Sequence, residues 1–287
     1  LKTISVAHSP DADDIFMYYA IKFGWVTPKD ARFENIADDI ESLNQATLKG
    51  EYDICAISFA LYPFVKDDYA LLKTAVSFGQ GYGPKLIKKK GTVLKKNFKV
   101  ALSGEFTTNA LLFKIAYPNA RITYLNFLEI EEAVLNGTVD AGVLIHESIL
   151  TYNQELEVER EMWDIWVELS GGDLPLPLGG MCLRRSIPLN DAINYENTLI
   201  KAVDVANKNR KVLSKMLLEK GLIRVNAETL DKYLDLYAND DSVKMSDIQY
   251  KALDKLYELG YKNGFYENLV KSQDFLIPSE YEELRAK

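Results

Sequence analysis

What most constrains this chain is an order that recurs four times: a short apolar run rich in β-branched residues, a small polar residue or a histidine, then apolar positions at helical spacing. "TISVAHS" (3–9) leads into "DDIFMYYAIKFGW" (13–25), and "YDICAIS" (52–58) into "FALYPFV" (59–65). "FKVALSG" (98–104) leads into "TTNALLFKIAY" (107–117), and "AGVLIH" (141–146) into "ESILTY" (147–152). Strands alternating with helices predict an α/β protein. The 287 residues suffice for one large domain or for two lobes with separate cores.

Two of these units echo each other. "LKGEYDICAIS" (48–58) and "LNGTVDAGVLIH" (135–146) share a leucine, a glycine two residues later and an aspartate three beyond that. Each reads as a helix closed by a left-handed glycine, Gly50 or Gly137, and followed by a strand. The echo suggests two similarly built lobes. "SFGQGYGPKLI" (77–87) and "SGGDLPLPLGGMCLRR" (170–185) are rich in glycine and proline and are the candidate crossings between them. This places residues 1–84 and 186–287 in a first lobe and 85–185 in a second. Gly79, Gly81 and Gly83 lack the following helix and later acid of a dinucleotide fingerprint. Beyond residue 186 the chain reads as amphipathic helices that pack back on the first lobe, their Tyr and Leu stripe explained by packing alone.

In open α/β sheets, ligands sit beyond the carboxyl ends of the strands. The residues at those ends are Ser9 and Asp11, Ser58, Thr107 and Thr108, and His146. Ser58, Thr107 and Thr108 are good helix N-caps, which would justify each singly. Together they could also surround an anion with helix N-terminal N–H groups, and Asn109 adds an amide. His146 has two readings: a histidine satisfied by a neighbouring carbonyl, or a general base, since imidazole titrates near neutrality. His8 is the alternative base. Glu147 is expected to turn toward solvent, though it could orient the imidazole. No G-x-S-x-G elbow or Ser-His-Asp arrangement is recognisable.

Charge narrows the ligand class. A net charge of -8 and a pI near 5.0 leave no field for nucleic acid, and the basic run "KLIKKKGTVLKK" (85–96) reads as an exposed turn. Cys55 and Cys182, distant in the chain, read as reduced core thiols, and with two histidines no metal site is expected. No apolar run of about 18 residues suggests a membrane span. The first residues enter a strand directly without a signal-like region, so a cytoplasmic location is expected.

"AGVLIHESILTY", "LPLPLGG" followed by "LRR", and "GYGPKLI" before "SGEFTTN" together resemble the 1,4-dihydroxy-6-naphthoate synthases of the futalosine routes to menaquinone. The resemblance implies a two-lobed fold like that of type II periplasmic binding proteins, with a central cleft and a helical C-terminal region. It implies cofactor-free conversion of a small anionic substrate, cyclic dehypoxanthine futalosine, to the naphthoate with release of dihydroxyacetone. By position, His146 corresponds to the proton acceptor, and Ala56, Ile57, Ser58, Thr108 and Asn109 to substrate contacts. Ser9, Asp14, Gly83, Tyr152 and Pro177 fall in the matching motifs as further cleft residues. The chain departs from the family's Ser-Pro-Cys-Pro-Asn-Asp turn in reading "SPDADD" (9–14), which leaves contacts from Asp11 and Asp13 open, since carboxylates there would repel an anion unless they face outward. Alternatives are a solute-binding protein of the same fold and the sister chorismate dehydratases.

Overall fold

A computed structural model describes residues 1–280; residues 281–287, the end of the expected first lobe, lie outside the described residues. The chain begins β1 (Lys2–His8), α1 (Ala12–Lys22), β2 (Ala31–Ala37), α2 (Ile40–Leu48), β3 (Ile54–Ser58), a short α3 (Tyr62–Val65), β4 (Tyr69–Leu71) and β5 (Ser77–Gly79). It continues β6 (Lys85–Lys89), β7 (Lys99–Leu102), α4 (Thr108–Ala116), β8 (Arg121–Tyr124), α5 (Ile130–Leu135), β9 (Ala141–Leu144), β10 (Leu156–Glu161), α6 (Met162–Ser170) and β11 (Leu176–Arg184). Helices α7 (Leu189–Lys208), α8 (Arg210–Glu219), α9 (Ala227–Tyr237) and α10 (Asp247–Lys262) follow. Among the described residues no helix is long and apolar enough to cross a membrane.

The strands form two sheets, ordered β2-β1-β3-β11-β4, with β5 on β11, and β8-β7-β9-β6-β10. In each, three parallel strands are followed by an antiparallel one. The echoing segments become β3 and β9, the third parallel strand of each sheet, and Gly50 and Gly137 have φ of 68° and 80°. Every residue of both strands is buried, which is why they read as unbroken apolar runs.

The β9 strand that carries His146 is packed tightly against α5. A Cβ on Gly142 would lie 2.4 Å from Ile130 Cγ2 and 3.1 Å from Val134 Cγ2. Gly142→Ala should therefore destabilise the fold by about 1–3 kcal/mol through overpacking, measured as a lowered urea midpoint with unchanged m-value.

Three expectations need correction. Residues 176–184, assigned to the second lobe, form β11 and pair with β3 and β4 in the first sheet. Gly180 there is needed for close packing: a Cβ on it would sit 2.7 Å from the Phe59 ring. The segment after His146 is a 3-10 turn (His146–Ile149), not a full helix. The C-terminal helices are not confined to the first sheet: α7, α8 and α9 pack on α1, but α10 touches both β11 and α6. Cys55 and Cys182, remote in sequence, are direct cross-strand partners as buried free thiols.

One ion pair is deeply buried. Lys73 Nζ lies 3.1 Å from Glu196 Oε2 on α7, the Lys73 backbone N–H donates to Glu196 Oε1 at 2.8 Å, and Nζ also donates to the Ile277 carbonyl.

Candidate active site

The ends of β1, β3, β7 and β9 converge on one cleft that holds about 720 Å³ of space, part of it open to solvent. Ser9, Asp14, Ala56, Ile57, Ser58, Thr107, Thr108, Asn109 and His146 all line it. Strand-to-helix handovers dictate this arrangement, because each strand releases its next residues at the same edge of its sheet.

His146 sits just past β9 with φ of 54°, a left-handed conformation uncommon outside glycine. Such backbone is a feature of functional turns. It ends the in-out alternation of the strand, leaving the imidazole at the cavity with its side chain 19% exposed. Nε2 is 2.9 Å from Asp11 Oδ2, which lies off the ring N–H axis, so the contact is an ion pair rather than an aligned hydrogen bond. Phe127 meets the ring edge-on at a centroid distance of 5.1 Å. Burial would lower the imidazole's proton affinity, but the Asp11 carboxylate outweighs it and raises the pKa to about 9. Asp11 is correspondingly held below its usual range: burial opposes this, and His146 and Arg224 overcome it.

A folded-state value above the unfolded 6.5 means that the imidazolium stabilises the fold fully below pH 6.5, and that this contribution is lost as pH rises through about 9. Between those values the melting temperature should fall with rising pH more steeply in the native chain than in Asp11→Asn, by calorimetry.

Around this pair the polar groups are fixed by neighbours. The Ser58 hydroxyl accepts from Asn44 Nδ2 (3.0 Å) while the Ser58 N–H donates to Asn44 Oδ1 (2.9 Å). Thr107 caps α4, accepting from the Ala110 N–H at 3.1 Å. Thr108 does not cap; its hydroxyl donates to the Leu178 carbonyl at 3.2 Å, tying α4 to β11. Asn109 Oδ1 is buried with no partner among the described residues. The first turn of α4 thus faces the cavity with the partial positive charge that a carboxylate needs.

His8, the alternative base, does not line this cavity, and both of its ring nitrogens are engaged: Nδ1 lies 2.7 Å from the Ser9 carbonyl and Nε2 2.6 Å from Asn35 Nδ2. Gly83, Tyr152 and Pro177 do not line the cavity, although Pro84 and Leu178 beside two of them do. Gly83 packs against Leu176, Pro177 is buried in β11 where the strand bulges beside β5, and the Tyr152 ring lies under Lys85 Nζ. Asp11 and Asp13 are 1% and 6% exposed and turn inward, not outward. Glu147 is likewise buried, accepting from the Ala12 N–H at 3.1 Å and pairing with Arg224 at 3.3 Å.

Three contributors escaped the sequence reading. Tyr233 and Tyr237, one turn apart on α9, line the cavity; their spacing suits a core stripe equally well. Arg224, between α8 and α9, reaches Asp11 Oδ1 at 2.5 Å, and no local pattern marks it. Among the described residues no group of three His, Cys, Asp or Glu is placed to hold a metal ion.

The chain matches the menaquinone biosynthesis family over residues 4–262. It is 30% identical to the 1,4-dihydroxy-6-naphthoate synthase of Streptomyces coelicolor over 88% of this chain and 90% of that protein. A solved protein from Archaeoglobus fulgidus is 33% identical and superposes with a TM-score of 0.84 over 91% of this chain and 98% of its own. The periplasmic aliphatic sulphonate binding protein of Escherichia coli, at 12% identity, superposes with a TM-score of 0.65 over 96% and 98% of the two chains. That last likeness is one of fold, a periplasmic-binding-protein architecture.

Proposed function

Because the chain belongs to the menaquinone biosynthesis family, we propose that it is a cytoplasmic 1,4-dihydroxy-6-naphthoate synthase, a carbon–carbon lyase acting on cyclic dehypoxanthine futalosine with release of dihydroxyacetone. The observation that carries the reading is His146, held at a cavity wall by Asp11 behind its Nε2. With that nitrogen engaged, Nδ1 is left to accept a proton from the substrate. Removal of a carbon-bound proton starts fragmentation of the skeleton, and the aromatic product drives it forward. The first turn of α4 suits the substrate carboxylate. Substrate that fills the cavity and displaces its water would strengthen both interactions.

The test is incubation with cyclic dehypoxanthine futalosine and detection of the naphthoate; product from chorismate instead would reassign the chain to the sister activity. A base with pKa about 9 is mostly protonated at neutral pH. So kcat/KM should climb about tenfold per pH unit from pH 6 and level off near 9. A flat profile over that range would remove His146 as the titrating acceptor.

A further inference from the structure

Asp13 lines the cavity with no cation paired to it, and unlike Asp14, which accepts from the Ser9 N–H, its carboxyl meets no hydrogen-bonding group among the described residues. It is 6% exposed, lines the cavity from the first turn of α1, and its Oδ1 has no hydrogen-bond partner among the described residues. The nearby cations are already committed: His146 to Asp11, and Arg224 to Asp11 and Glu147. The titratable groups whose charge Asp13 senses are Asp14 on its own helix, Asp11 before it, His146 and Glu147 from the second sheet, and the Tyr233 and Tyr237 phenols from α9. Three of these are carboxylates. Burial, then Asp14 and Asp11, push its proton affinity well above the carboxylate range, and His146 only partly opposes them.

We propose that Asp13 meets the substrate as a neutral carboxylic acid, donating a hydrogen bond to an uncharged carbonyl or hydroxyl oxygen at the α1 wall of the cavity. An ionised Asp13 would instead repel an anionic substrate and stand beside Asp14 and Asp11 with no cation of its own. A protonated one supplies an O–H donor at a place where the protein offers its Oδ1 no partner, and a buried unpaired polar atom is a cost that a ligand can remove. The α4 end of the cavity then takes the charged part of the substrate and the α1 wall an uncharged oxygen, which fixes the direction in which it lies. This rests on the synthase reading for the identity of the substrate, but not for the protonation state.

Two measurements separate the claims. Infrared difference spectra of the full chain at neutral pH should show a protonated-carboxyl band that disappears in Asp13→Asn; its persistence there would overturn the neutral state whether or not the protein turns over any substrate. In turnover of cyclic dehypoxanthine futalosine, Asp13→Leu removes the donor and should lower kcat/KM by about 10- to 100-fold. Asp13→Asn, which donates from a neutral group of the same shape, should restore most of that loss. Equal losses in the two variants, or no loss in Asp13→Leu, would sink the donor role, and melting curves of both show whether the chain has folded. Failure of the native chain to form the naphthoate would overturn the synthase reading alone, leaving the infrared result to decide Asp13.

Discussion

His146→Asn should lower kcat by roughly 10²- to 10⁴-fold, the usual contribution of a positioned proton acceptor, while leaving the protein folded and able to bind ligand. Asparagine is the informative substitution because it tolerates the left-handed backbone that His146 adopts at φ 54°. Alanine would add strain at the same position and confuse stability with chemistry. Asparagine also keeps a polar group beside Asp11, which is 1% exposed and would otherwise lose part of its compensation. The pH profile of what activity remains should lose the rise toward about 9 that the native chain shows. Steady-state kinetics with a melting curve measures all three. Turnover within tenfold of native would remove His146 from the mechanism.

The second large effect is on stability. Glu196→Ala should destabilise the fold by about 3–5 kcal/mol, the cost of stranding a buried charge. Glu196 receives both the Lys73 ammonium (3.1 Å) and the Lys73 backbone N–H (2.8 Å) and is 2% exposed, so water cannot replace it. The ammonium also holds the Ile277 carbonyl, so the loss would spread to the end of the described chain. The pair itself is worth less than its rupture: Lys73→Met with Glu196→Leu should recover most of the stability by repacking the site with apolar groups. Urea unfolding of the three variants decides this. A double variant as unstable as Glu196→Ala alone would mean that the ions hold the geometry together.

Much of the fold was legible because four strand-to-helix handovers carry local signals. The β-branched run marks the strand, the cap marks the turn, and strand ends in such sheets face a common crevice. His146, Ser58, Thr107 and Asn109 were found by that route. Their partners were not, since Asp11 meets His146 from 135 positions away and Arg224 reaches Asp11 across 213, distances over which no periodicity extends. Tyr233 and Tyr237 carry no signal of their own, because the same spacing serves a cavity wall and a packed interior. The glycines of β11 misled for a related reason: a residue needed for close approach to Phe59 looks in sequence like one needed for a turn.

Three contacts bridge the gap between the two sheets at the cavity: His146 to Asp11, Glu147 to the Ala12 N–H, and Thr108 to the Leu178 carbonyl. Any motion that parts the sheets takes the imidazole away from its carboxylate and returns it toward an ordinary histidine. Such a parting would release a proton, so between pH 6.5 and about 9 acid would favour the joined arrangement. The ion pair that tunes the base would thus also set the pH at which the two sheets hold together at the cavity.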